Sequence, residues 1–304
     1  MLVAEIFQRA RALGVAIPAF NIPYLPMLEA VVQAVVAQDS FALVEVARPE
    51  WIKFEAGGPA AVAAEFARWR SPDHVRLHLD HIPVIDEDGQ RVDYLPIFQE
   101  ALDLGYESVM VDGSRLPLEE NIRATRQVVD LAHARNTPVE AELGAVLGHE
   151  AGEPPPYEVL FASGRGFTAV DEARRFVQET QCDWLSVAIG NIHGAIAVGR
   201  KDQKKVQARL NLEHLDRLAQ ATQIPLVLHG GSGIQQAYVL DAMRHGIVKI
   251  NVGTEIRQPY EVAMKASGSV AQAQQAVYER TAWVLRDFLG IHGLRARLAA
   301  PASL

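Results

Sequence analysis

Apolar and polar positions alternate in short runs along this chain, and longer helix-like stretches stand between the runs. Residues 75–79 show the pattern most clearly: Val75, Leu77 and Leu79 alternate with Arg76 and His78, the period of a strand. Seven further strand candidates cover residues 17–20, 42–47, 108–112, 138–142, 184–188, 225–229 and 247–251. A first helix is expected over residues 2–13, and the chain after Tyr260 reads as helical in two pieces, 262–266 and 277–289. Gly14, Gly105 and Gly246 stand where a helix stops before the next strand, and Pro117 opens the helix that runs on through Ala134. Eight strand–helix units close into a barrel more readily than they form an open sheet. The expected fold is therefore α/β: one (β/α)8 TIM barrel over residues 1–304, with an N-terminal helix and extra C-terminal helices at 260–298. The competing open doubly wound sheet lacks a GxGxxG after its first strand. Two long loops, 82–92 and 144–167, are expected over the C-terminal face as lids.

Composition narrows the partners. With 304 residues, 49% of them hydrophobic, the chain can build a sizeable core. Its formal net charge of −8 argues against nucleic acid or an anionic membrane as the main partner. A single cysteine, Cys182, excludes an intrachain disulfide, suits a reducing compartment and reads as a packed thiol just before a strand. No apolar run reaches membrane-spanning length and the start lacks a signal-peptide pattern, so the expectation is a soluble cytoplasmic protein.

The chemistry collects where the strands end. Leu77-His78-Leu79-Asp80-His81 closes the third strand, Asn191-Ile192-His193-Gly194 follows the sixth, and His229-Gly230-Gly231-Ser232-Gly233 follows the seventh. His81, His193 and His229 at three strand ends are what a catalytic zinc site with an open fourth position requires. Adjacent strand residues face opposite ways, so Asp80 and His81 can share a site only if the strand has ended and the backbone turns. Asp80 reads either as the group orienting His81 or as an acid/base beside the metal. Glu140 and Glu142 straddle Ala141 on one inward face, which supports a metal-facing place for Glu142. His78 reads as buried and hydrogen-bonded, His133 and His214 as solvated helix residues. The glycines after strand seven and Asn251-Val252-Gly253-Thr254 after strand eight read as an anion pocket or as simple tight turns, and together they favour phosphate.

These residues resemble the class II (zinc-dependent) ketose-bisphosphate aldolases. The matching runs are Ala19-Phe20-Asn21, Leu77 to His81, Ser108 to Ser114, Val139 to Gly144, Ala188 to Gly194, Pro225 to Gly233 and Lys249 to Glu255. The resemblance implies that His81, His193 and His229 bind Zn2+, with Glu142 near an alternate metal position. It makes Asp80 the residue exchanging a proton with the C4 hydroxyl, and Glu150 the loop acid that moves the C3 proton in some members. It further places Asn21, Gly194, Gly230, Gly231, Ser232, Asn251 and Thr254 around the phosphate or substrate, a monovalent cation such as Na+ or K+ beside that phosphate, and the chain in a homodimer or homotetramer. The activity it implies is reversible aldol cleavage of a fructose- or tagatose-bisphosphate-like ketose to dihydroxyacetone phosphate and an aldehyde. Zinc would act there as the Lewis acid at the ketone oxygen.

Several stretches depart from the family pattern. Leu147-Gly148-His149-Glu150-Ala151 lacks one glycine and the aspartate of the family loop. Glu45-Val46-Ala47-Arg48 replaces a Gln-x-Ser, and Ala195-Ile196 stands where a tyrosine is usual. The metal and phosphate parts are thus intact while the aldehyde side is altered. Arg48 reads either as a contact for a second anion at the substrate's far end or as a solvated rim residue. Rival readings are a Schiff-base aldolase using Lys249, a non-catalytic sugar-phosphate-binding barrel, and a zinc barrel of another chemistry.

Overall fold

In the computed structural model, residues 1–144, 157–191, 208–230 and 234–300 are described. Eight parallel strands follow in order: β1 (Ile17–Asn21), β2 (Ala42–Ala47), β3 (Val75–Pro83), β4 (Ser108–Asp112), β5 (Val139–Leu143), β6 (Trp184–Val187), β7 (Leu226–Leu228) and β8 (Ile247–Val252). Each pairs with the next, and β8 returns to β1 through Ile17↔Lys249 and Ala19↔Asn251, which closes the barrel. The expected (β/α)8 architecture is what forms. Strands β1, β2 and β5 are buried end to end, since helices cover their outer faces and side chains fill the interior.

The helices of the first half are α1 (Val3–Leu13), α2 (Met27–Ala37), α3 (Arg48–Lys53), α4 (Pro59–Trp69), α5 (Tyr94–Asp103) and α6 (Leu118–His133). Those of the second are α7 (Tyr157–Ser163), α8 (Val170–Thr180), α9 (Leu212–Thr222), α10 (Gln236–Arg244), α11 (Thr254–Ser267), α12 (Val270–Trp283) and α13 (Leu294–Ala299), with a π-helical turn at Val284–Phe288. Their buried residues recur at helical spacing: Ile122, Thr125, Val129 and Ala132 on α6, and Ala173, Phe176, Val177 and Thr180 on α8. Helix α1 closes the N-terminal end of the barrel, where Phe7 stacks on Trp184, the first residue of β6, with ring centroids 3.8 Å apart. The functional side chains therefore gather toward the opposite end.

Three expectations need correction. The tail forms α11 and α12, longer than the two pieces read from the sequence. Helix α11 runs through Pro259 because Ile256 and Tyr260 are buried and α12 packs along it. The expected long loop at 144–167 contains α7. Most important, β3 does not stop at Leu79; it runs to Pro83.

The continuation of β3 is irregular. Against β2 its register is unbroken up to Ala47↔Asp80, but against β4 Leu79↔Val109 is followed by Ile82↔Val111. Asp80 and His81 thus oppose the single residue Met110, which is a β-bulge. The bulge, not a strand end, turns both side chains toward one site.

Candidate active site

Asp80 lies at the centre of the barrel's C-terminal end, only 1% exposed. The amide of Asn21, last residue of β1, donates to its Oδ2 at 3.0 Å, and the amide of Asn251 on β8 donates to its Oδ1 at 3.0 Å. Burial pushes this carboxyl up, but the nearby His81, Lys249 and His229 outweigh it and hold Asp80 well below the usual carboxylate range. It is an anion with both oxygens fixed.

His81 and His229 meet beside it, their ring centroids 4.5 Å apart. His229 Nε2 and Glu140 Oε1 are 2.8 Å apart, which makes Nε2 the protonated nitrogen and leaves the lone pair on Nδ1. Asn191 Nδ2 donates to the His229 carbonyl at 2.9 Å and steadies the turn after β7. Glu142 Oε2 stands 3.6 Å from Nδ1 of His81 and 3.6 Å from Nδ1 of His229. It is buried and has no hydrogen-bond partner among the described residues. Asp112 Oδ2 approaches His81 Nδ1 at 3.2 Å, and its Oδ1 accepts from Ser114.

Among the described residues, Asp80–His81–His229 and His81–Asp112–Glu142 each bring ligand atoms within 4.8 Å of one another. Ligand atoms around a tetrahedral zinc with bonds of about 2.05 Å stand roughly 3.3 Å apart, so the 3.6 Å spacings need little adjustment. The charge state agrees. Burial lowers His81's affinity for a proton, yet Asp80, Asp112 and Glu142 raise its pKa well above the ordinary value. Burial and Asp112 likewise raise Glu142 well above its own. Without a cation the site must hold protons to balance its carboxylates, and a divalent ion would replace them.

Deeper in the barrel, Lys249 on β8 is wholly buried, with Nζ 2.9 Å from Glu140 Oε2, 3.2 Å from Glu45 Oε2 and 2.7 Å from Asn251 Oδ1. Burial works against its charge, but Glu140, Glu45 and Asp80 raise its pKa above the ordinary value. Burial likewise raises Glu140, and Lys249 with His229 brings it back down to about 2. A Schiff-base lysine needs a neutral amine open to substrate; Lys249 is a caged ammonium, which removes that rival. His78 is buried as expected, with Nδ1 2.8 Å from Ser108 Oγ. Burial, then Lys249, pushes its pKa down to about 3.

Other predicted residues are placed as follows. Gly230 follows His229 directly, and Thr254 opens α11. Arg48, at the start of α3, pairs with Asp86 at 3.0 Å, so it has a counter-ion from within the chain. His214 is only partly exposed; its Nε2 lies 2.8 Å from the Thr168 carbonyl. Cys182 is buried, its thiol pushed up to about 12 by burial. Glu150, His193, Gly194, Gly231 and Ser232 lie outside the described residues.

Sequence reasoning missed Glu140 as the partner of His229, Lys249 as a buried cation, and Glu50. The last accepts the Ala47 amide at 2.8 Å, and burial pushes its carboxyl up to about 8. The only signal for Glu50 is its place as the third residue of a short helix, where a carboxylate reaches back to the preceding amide.

Comparison with known proteins follows the same lines. A family model described as "Fructose-bisphosphate aldolase class-II" matches residues 2–290. A fructose-bisphosphate aldolase of Streptococcus pneumoniae serotype 4 is 33% identical over 282 residues, covering 91% of this chain and 87% of the relative. A 6-phospho-5-dehydro-2-deoxy-D-gluconate aldolase of Halalkalibacterium halodurans is also 33% identical, over 279 residues, covering 90% of this chain and 86% of the relative. The crystal structure of the YdjI aldolase from Escherichia coli K12 superposes with a TM-score of 0.75 at 29% identity, covering 97% of this chain and all of that one.

Proposed function

The chain belongs to the class II fructose-bisphosphate aldolase family and is a carbon–carbon lyase, and from there we propose that it uses Zn2+ to cleave a phosphorylated ketose reversibly. The products would be dihydroxyacetone phosphate and an aldehyde, from a fructose- or tagatose-bisphosphate-like substrate. His81, His193 and His229 would hold the ion, with Glu142 as an alternative ligand. When bound, the ion supplies a Lewis acid at the ketone oxygen.

The chain's own residues would do the rest. Asp80 would accept the C4 hydroxyl proton in cleavage and return it in condensation. Its two amide donors fix the carboxylate for that transfer, and its burial keeps bulk water away. Glu150 would handle the C3 proton. Gly194, Gly230, Gly231, Ser232 and Thr254 would cradle the phosphate, since amides in the first turn of α11 favour an anion. A monovalent cation such as Na+ or K+ would sit beside it. Asn21 and Asn251, expected at the phosphate, are better assigned to Asp80, toward which both amides turn. A homodimer or homotetramer is the proposed assembly.

The observation that carries this reading is the placement of Glu142 Oε2 3.6 Å from two imidazole nitrogens, next to a fixed Asp80. Two relatives at the same identity have different printed activities, so the substrate is the open part of the proposal. The test is cleavage of a panel of phosphorylated ketoses before and after chelation. Chelator-sensitive release of dihydroxyacetone phosphate supports the proposal; activity that survives full metal removal contradicts it.

A further inference from the structure

The barrel contains a second cluster shaped for a cation. Glu45, His78 and Asp80 bring ligand atoms within 4.8 Å of one another, yet Lys249 Nζ already stands 3.2 Å from Glu45 Oε2 and 3.9 Å from Asp80 Oδ1. The chain therefore supplies its own cation at this level. That ammonium does more than balance charge, because two paths leave it in different directions, one beginning with an ion pair and one with a hydrogen bond.

One path runs from Lys249 Nζ to Glu140 Oε2 at 2.9 Å, and from Glu140 Oε1 to His229 Nε2 at 2.8 Å. One carboxylate thus bridges the amine and the imidazole, and each end limits how the other can sit. The second path runs from Nζ to Asn251 Oδ1 at 2.7 Å, and from Asn251 Nδ2 to Asp80 Oδ1 at 3.0 Å. An ammonium has only donors, so it selects the Asn251 rotamer that turns Oδ1 inward and Nδ2 toward Asp80. The opposite rotamer would set an amide oxygen against a carboxylate.

We infer that Lys249 is the positioning residue that couples the metal ligand His229, through Glu140, to the acid/base Asp80, through Asn251. It touches neither substrate nor metal. It fixes the two groups relative to each other. Loss of the amine then has two separable consequences. Metal affinity falls through the Glu140 path, as when an outer-shell partner of a histidine ligand is lost. Turnover at saturating metal falls through the Asn251 path.

The inference rests on the metal-dependent reading above, and a double-mutant cycle separates the two. The variants are Lys249→Met, Glu140→Gln and the pair together; the pair removes the amine without leaving Glu140 as an unpaired buried anion, so it serves where the single variant does not fold. Zn2+ affinity is read by competition with a chromophoric chelator, and kcat and KM at saturating metal. The expected result is a loss of about 10–100-fold in Zn2+ affinity in Glu140→Gln, with no further loss in the pair. The pair's kcat falls at least about tenfold below that of Glu140→Gln, with KM changing much less. A pair with the kcat of Glu140→Gln, or with an additional tenfold loss of affinity, would overturn the two-path assignment. A parent protein that takes up no divalent metal would instead sink the proposed function.

Discussion

Glu140 Oε1 lies 2.8 Å from Nε2 of His229, so a single carboxylate decides which imidazole nitrogen faces the metal position. In the same group of side chains, His81 and Glu142 are pulled toward their protonated forms while Asp80 and Glu140 stay ionised. This separation of charge states underlies the first prediction.

Metal uptake is expected to release protons. Both His81 and Glu142 have pKa values raised well above their ordinary ones in the metal-free protein, so an incoming cation must displace protons from them. Affinity therefore weakens as pH falls, by up to about tenfold per pH unit for each proton displaced. Calorimetric titration of Zn2+ in buffers of different ionisation enthalpy checks this. Identical heats in all buffers, with a flat affinity between pH 6 and 8, would contradict it.

Asp80→Asn separates the acid/base role from the ligand role that the Asp80–His81–His229 group would also allow. As the acid/base, its loss lowers kcat by about 10²–10⁴-fold and leaves zinc content unchanged. As a metal ligand, its loss empties the site. The two outcomes are read by steady-state cleavage and by metal analysis of the same preparation; zinc-free Asp80→Asn would reverse the assignment.

His78 gives the protein an acid-sensitive component of stability. Its folded pKa is depressed to about 3 from 6.5, so the unfolded chain binds the extra proton between those values. The contribution is fully present above pH 6.5 and lost as pH falls toward 3, at up to about 1.4 kcal/mol per pH unit. Replacing His78 by Gln should flatten the unfolding free energy against pH in that window, relative to the parent. Parallel curves for the two proteins would exclude the effect.

Gly190 marks a backbone constraint beside the turn after β6. Its φ is +110°, and a Cβ there would lie 2.5 Å from the Arg209 carbonyl oxygen and 2.7 Å from the Phe161 ring. Gly190→Ala should destabilise the fold by at least about 1–3 kcal/mol, seen as a lower Tm. An unchanged Tm would mean that Arg209 and Phe161 yield without loss.

Much of the fold is legible in the sequence because eight apolar runs alternate with helices, and strand-end chemistry such as Asp80-His81 and His229-Gly230 stands out locally. The exact turn of β3 is not legible. Whether two neighbouring residues share a face depends on the register against β4, and the bulge at Asp80 and His81 appears only when the strands pair. Lys249 illustrates a second limit: one lysine in an apolar strand reads as a Schiff-base candidate until Glu140, Glu45 and Asn251 surround it. Arg48 illustrates a third, since its partner Asp86 comes from a segment whose path the sequence pattern does not specify.

The central claim is that one divalent ion is shared by His81, in the β3 bulge, and His229, after β7. An anomalous difference map from crystals grown with zinc, collected at the zinc edge, tests it most directly. The account predicts a single strong peak about 2.0–2.1 Å from imidazole nitrogens of both His81 and His229. A peak only elsewhere, or none at full zinc loading, would contradict it.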